Sequence, residues 1–331
     1  VSVGSLEHKL GIHGSSTCVM NFDNAKGFMI GKKGKGVATM FTFMNSARVG
    51  TALQGVAGAE LSFQNALAYA KDRMSMRTFG GTKNPDDVAD KIIHHGDVRR
   101  MLLTCKAIAE GGRSLAYETS KYADFLSTAQ DDEEKFNEYD DEFGFYTPIA
   151  KGFLTELGLE CTNHAMNVLG GHGYIKEWGL EQIMRDTRIS TMYEGTTTIQ
   201  ALDLLGRKTL LDRFKQQDKF LKRATKFCLN SLKTSPNKKE MAKLVMPLLC
   251  YLAKWKVYSL RIGLRAQKDQ RYVATTAYDY LFFCGYIMLG FNWLRMADVA
   301  YRKLDKGEGN EEFYKAKVDT ANFYFKRLLP R

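Results

Sequence analysis

Proline is scarce in this 331-residue chain, with 5 in all, and tryptophan scarcer still, with 3. Long stretches carry neither proline nor glycine, which favours long helices over a turn-rich sheet protein. The 6 cysteines (Cys18, Cys105, Cys161, Cys228, Cys250 and Cys284) stand singly, with no CxxC pair and no His/Cys cluster. A disulfide scaffold is thereby excluded, no metal site is expected, and a reducing compartment, the cytoplasm, is the reading. The adjacent His94 and His95 do not converge on a metal from one helix. The most apolar run, residues 281–291, has 11 residues; a membrane-spanning helix needs about 20. No signal peptide is recognisable, and the chain opens on Val1 inside a Ser/Gly-rich pattern. That reads as a truncated start.

What is present is the composition of a packed protein, 44% hydrophobic and 26% charged. The length suits about two domains. Charge is unevenly spread. Residues 1–206 hold 21 Lys and Arg against 26 Asp and Glu, a balance of −5, whereas residues 207–331 hold 27 against 11, a balance of +16. A basic block of that size suits an acidic partner, an anionic surface or nucleic acid, or else forms a solvated helical face.

Residues 1–36 carry strand-and-turn signals. Short apolar runs at 18–22 and 28–30 are bounded by Gly, Asn and Lys turns. From residue 37 the period turns helical, with Val49, Leu53, Val56, Ala57 and Leu61 on one face. That helix is expected over about 37–76. Residues 80–90 read as a loop. A second helix is expected from a cap at Asp97 to about 127. The acidic run 131–142 reads as a surface connection. A third helix is expected from Pro148, suited to a first turn, to Leu169. A shorter one follows at about 180–186, and four or so helices occupy 197–327, broken near 235–236, 267–270 and 307–310.

Two stretches carry chemistry. Residues 167–174 read NVLGGHGY, with three glycines in four residues at a helix end, where backbone can approach a ligand closely. No strand precedes them, so a phosphate loop is a poor match. Residues 192–200 read MYEGTTTIQ, a Glu beside Gly ahead of three threonines and a helix.

In this order and spacing, LGGHGY, MRD at 184–186 and YEGTTTIQ resemble the C-terminal helical domain of the acyl-CoA dehydrogenase family. Residues 11–41 resemble the end of that family's middle β-domain, and residues 69–73 (YAKDR) resemble its YAxxR signature. The resemblance covers about residues 5–206. The loop at 82–103 and the long tail are similar to the large-bodied bacterial branch that includes methylthiopropionyl-CoA dehydrogenases.

The resemblance implies a mainly α fold. A helical bundle (37–206) would be preceded by a remnant of a β-barrel-like middle domain (1–36) and followed by a basic helical extension (207–331). It implies FAD as cofactor and α,β-dehydrogenation of an acyl-CoA thioester to the trans-2-enoyl-CoA. In that reaction a carboxylate takes the α-proton while the β-hydrogen leaves as hydride to flavin N5. Electrons then pass to an electron-transfer flavoprotein, and the assembly would be a homodimer or homotetramer. Glu194 occupies the position of the base. Some members carry the base on the first long helix beside an Arg; here that neighbour is Ala47, which cannot serve. Tyr193, Arg48 and Asn45 match substrate-side positions. Arg73, Arg77, Asn167, Gly170, Gly171, Thr196 and Thr198 match cofactor-side ones. Asn167 and Thr198 stand where Gln is usual, and Asn45 where Asp is common. An acyl-CoA oxidase is the neighbouring alternative, and a DNA-binding member using the basic C-terminal region is another.

Overall fold

The structure is a computed structural model. It describes residues 1–331 apart from the side chains of Ala38, Phe41 and Thr42. The chain opens with two antiparallel strands, β1 (Ser2–Leu6) and β2 (Cys18–Asn21), whose register breaks at a bulge between Val3 and Ser5. The second apolar run, 28–30, forms no strand. Phe28, Met29 and Ile30 stand exposed.

Three long helices follow: α1 (Gly36–Asp72), α2 (Gly96–Thr128) and α3 (Glu133–Leu169). Helix α1 stops four residues before the expected end. Arg73 turns extended, and Met74 instead bridges to Lys91 across the loop. Asp97 lies in the first turn of α2 and does not cap it; its carboxylate meets Arg100 at 2.6 Å.

The largest departure is the acidic run. Residues 133–142 are the opening turns of α3, capped by Asp132, whose carboxylate accepts from the Lys135 N–H at 3.1 Å. Pro148, expected at a helix start, lies buried inside this helix. Proline removes one ladder bond and disfavours a helix interior. Here the burial of 20 residues on the same helix outweighs that local cost.

After two single-turn 3-10 segments come α4 (Leu180–Arg188) and α5 (Thr197–Leu202), and α5 widens directly into a π-helical stretch, Asp203–Leu211. Four helices complete the chain: α6 (Lys215–Thr234), α7 (Lys238–Lys268), α8 (Arg271–Lys306) and α9 (Glu311–Arg327). Their breaks fall where Pro236, Asp269 and Gly307 interrupt the pattern.

Helices α1 and α3 touch backbone to backbone. A Cβ at Gly55 would sit closer than 3.0 Å to the Leu154 carbonyl, and one at Gly158 closer than 3.0 Å to that of Gly55. No other residue permits that approach. One continuous core then runs through the molecule, joining Val56, Ile108 and Phe153 of the first three helices to Trp255, Leu281 and Trp293 of α7 and α8. The Trp293 indole N–H donates to the Ala107 carbonyl at 3.0 Å.

The charge asymmetry is answered in the same contact. Glu118 on α2 accepts from Arg223 at 2.8 Å and lies 3.3 Å from Arg295. Lys317 meets Glu110 at 2.8 Å, and Arg331 meets Glu160 at 2.6 Å. Lys215 and Lys219 of α6 meet Asp141, Glu138 and Glu142 of the acidic α3 turns. Six of the 27 basic residues after 206 therefore face acids of the preceding helices.

Candidate active site

The segment between α4 and α5 reverses direction in two residues. Glu194 has φ 56° and Gly195 has φ 92°. A left-handed Glu is uncommon and costs free energy, so the surroundings must hold it. They do so through its carbonyls. The Glu194 carbonyl accepts from Gln200 Nε2 at 2.9 Å and from Arg48 Nε at 3.3 Å. The Gly195 carbonyl accepts from Lys151 Nζ at 2.7 Å. Thr196 caps α5, its hydroxyl accepting from the Ile199 N–H at 3.4 Å. Thr197 anchors the far side on Glu156 at 2.6 Å.

Arg48 and Lys151 are both buried, at 4% and 0% exposure. Arg48 also meets Asp203 at 3.4 Å, and Asp203 in turn accepts from Arg207 at 2.8 Å. Burial pushes the Arg48 guanidinium down from its ordinary value, with Asp203 pulling the other way. Burial likewise lowers the Lys151 ammonium to about 8, helped by repulsion from Arg48 and opposed by Glu156 and Glu194.

The Glu194 carboxylate is half-buried and makes no hydrogen bond or ion pair among the described residues. Its backbone is held while its side chain is left available. Tyr193 beside it donates its hydroxyl to Gln54 Oε1 on α1. Asn45 and Arg48 line, with Asp203 and Arg207, a polar cleft of about 460 Å³. Thr196 and Thr198 point into the open, next to the exposed Ile199.

The structure therefore brings Glu194, Tyr193, Arg48, Asn45 and Thr196 into one neighbourhood, with Thr198 on its rim. It places Arg73, Arg77, Asn167, Gly170 and Gly171 elsewhere. Arg73 is 25 residues beyond Arg48 on the same helix axis, roughly 35 Å away by helix rise. Arg73 is exposed there. Arg77 is engaged with its own loop, donating to the Asn84 carbonyl at 2.8 Å and to that of Asp87, and lying 3.6 Å from Asp90. Asn167 is exposed near the end of α3, and Gly170 ends that helix with φ 61°. Side chains added at Gly170 or Gly171 would meet nothing within 4 Å. Beside them His172 stacks on Trp178 and accepts or donates to the Tyr69 hydroxyl at 2.9 Å.

Sequence reasoning missed Lys151, Gln200 and Asp203. Lys151 left one faint signal, a single cation inside the apolar run 149–154. Gln200 on α5 and Asp203 at the start of the π-helical stretch follow the Thr run and look like ordinary helix polar residues. Among the described residues no cluster of three or more His, Cys, Asp or Glu could hold a metal, and no helix is long and apolar enough to cross a membrane.

Comparison with known proteins places the chain in a family. Residues 34–209 match the family described as acyl-CoA dehydrogenase, C-terminal domain, and residues 215–331 match one described as acetyl-CoA dehydrogenase C-terminal like. The chain belongs to the acyl-CoA dehydrogenase family. It is 37% identical over 325 residues to 3-methylmercaptopropionyl-CoA dehydrogenase of Ruegeria pomeroyi, covering 98% of this chain and 54% of that protein. It is 34% identical over 343 residues to a butyryl-CoA dehydrogenase of Syntrophomonas wolfei, covering 100% of this chain and 54% of that protein. The fold is similar to that of Caenorhabditis elegans ACDH-11 in complex with C11-CoA (TM-score 0.73, 18% identity, 97% of this chain and 49% of that one). It is also similar to an acyl-CoA dehydrogenase complexed with FAD from Bacillus anthracis (TM-score 0.69, 20% identity, 99% and 55%). The chain thus spans about half the length of the curated relatives it matches.

Proposed function

We propose that this chain is the catalytic-base half of an FAD-dependent acyl-CoA dehydrogenase, with Glu194 as the base. One observation carries the reading: an unpartnered carboxylate on a turn whose two carbonyls are pinned by three side chains. An α-proton beside a thioester is a weak acid, so its removal needs a base held in reach and donors for the developing enolate oxygen. Glu194 takes that proton. Its own backbone N–H is a candidate enolate donor, held in direction by the fixed turn. Tyr193, tied to Gln54, would wall the acyl cavity, and Asn45 and Arg48 would shape its floor.

FAD supplies, when bound, the acceptor for the hydride that leaves the β-carbon. The residues present fit such a group in what they leave open. Thr196 and Thr198 are exposed, as are the apolar Met40, Phe43, Met192 and Ile199. The distant set of Arg73, Asn167, Gly170 and Gly171 offers a cation, an amide and uncovered backbone. That set suits the cofactor of a second copy, as in a homodimer or homotetramer. Arg77, held by its loop, is the weakest member. An electron-transfer flavoprotein is the proposed acceptor of the electrons, and the acyl-CoA class is the proposed substrate. Of the 27 basic residues after 206, Arg223, Arg295, Lys317 and Lys219 are engaged by acids of α2 and α3 and are not offered to nucleic acid.

The test is anaerobic addition of short and branched acyl-CoAs to the full-length flavoprotein. Bleaching of the flavin band supports the reading, and a bound flavin that none of them bleaches contradicts it.

A further inference from the structure

Lys151 is the most costly residue of the site and the least explained by stability. It lies at 0% exposure on α3, among Ile149, Ala150, Phe153 and Leu154 of the core. A buried ammonium without a carboxylate partner in hydrogen-bond range costs more than an apolar side chain of similar length. Its hydrogen bond is to a neutral acceptor, the Gly195 carbonyl, at 2.7 Å. Glu156 and Glu194 act on it only through space, and Arg48 repels it. An ordinary core would place Met or Leu here.

The geometry shows what the cation does. Gly195 follows the left-handed Glu194, and its carbonyl is the second of the two that close the turn. Arg48 and Gln200 hold the first carbonyl from α1 and α5. Lys151 holds the second from α3 at 2.7 Å, with Gln200 Nε2 also reaching it at 3.4 Å, so that three separate helices grip one dipeptide. Loss of any one grip frees a rotation at a residue already in a disfavoured conformation.

We propose that Lys151 is a positioning residue for the dehydrogenation, holding the Gly195 carbonyl so that the Glu194 carboxylate stays aimed at the substrate α-carbon. This rests on Glu194 being the base. Lys151 does not touch substrate; it acts through the turn. The charge strengthens the hydrogen bond in the dry interior, where a neutral donor would hold less firmly.

The experiment uses the full-length flavoprotein in four forms: unchanged, Lys151→Met, Glu194→Gln and the double variant. Flavin content, binding of the corresponding 2-enoyl-CoA, and the single-turnover bleaching rate are measured for each. The expected result is a fall of about 30- to 100-fold in rate for Lys151→Met, as for a misplaced catalytic group. Enoyl-CoA binding should change less than about threefold, and Lys151→Gln, which keeps a donor, should recover part of the rate. In the Glu194→Gln background the Lys151→Met change should cost nothing further, because the group it aims is gone. A Lys151→Met protein that bleaches at the unchanged rate overturns the proposal. So does an equal loss in both backgrounds, or failure of both Lys151 variants to retain flavin, either of which makes the lysine structural. If the unchanged protein itself is not bleached, the functional reading fails first and takes this one with it.

Discussion

Arg48 and Lys151 each stand seven residues before the glycine at which their helices touch, Gly55 on α1 and Gly158 on α3. Seven residues are two helical turns, so each side chain lies on the face that carries its contact glycine. The two backbones meet at the glycines, and two turns earlier the two cations converge on the Glu194–Gly195 turn. The close crossing sets the spacing of the grip.

Widening that crossing should therefore damage the site at a distance. Gly158→Ala adds a methyl group against the Gly55 carbonyl. Overpacking of this kind costs about 1–3 kcal/mol. Thermal unfolding should show that loss, and acyl-CoA turnover should fall about tenfold beyond it as the grip loosens. Gly50→Ala on α1, where the added group meets nothing within 4 Å, is the control and should change neither.

The C-terminal helices should fail together with the first three. Glu118 is buried and receives Arg223 at 2.8 Å, Arg295 at 3.3 Å and Asn292 at 3.2 Å. Glu118→Gln keeps the shape and leaves two arginines without their anion. A loss of about 2–4 kcal/mol is expected, read by denaturant midpoint. Because one core spans both parts, the transition should stay single; two separated transitions would contradict it.

The loop after α1 should resist acid. The Asp90 carboxylate accepts three backbone N–H bonds, from Thr78, Lys83 and Asn84, each at 2.8 Å, with Arg77 3.6 Å away. The Thr78 bond first, then the others, hold its pKa well below the ordinary 3.8. A depressed carboxylate stabilises the fold above its unfolded pKa and loses that contribution only as pH falls through the lower folded value. The loop should thus stay closed to limited proteolysis down to about pH 4. Asp90→Asn, which replaces one accepting oxygen by a donor, should open residues 76–88 to cleavage at neutral pH.

Much of this architecture was legible from residues alone. The breaks after α6, α7 and α8 follow from Pro236, Asp269 and Gly307, because local backbone chemistry decides them. Glu194 was singled out only through the family resemblance of its YEG setting; its residue types alone read as an exposed turn acid. The acidic opening of α3 was not. A run of acids reads as solvated until the lysines of α6, about 80 residues later, come to face it. Pro148 misled in the same way, since a local rule was overridden by burial on all sides. Lys151 left only a faint signal for a related reason. Its partner is a backbone carbonyl 44 residues away, and no side-chain pattern records a carbonyl.

If Glu194 is the base, replacing its carboxylate must stop the reaction. The most direct measurement is anaerobic mixing of the full-length flavoprotein with the acyl-CoA that bleaches it fastest, comparing Glu194→Gln with the unchanged protein. Bleaching is expected in the unchanged protein, and a rate at least about 10³-fold lower in the variant, with flavin and enoyl-CoA still bound. Bleaching of Glu194→Gln at a rate near the unchanged one would place the base on another residue.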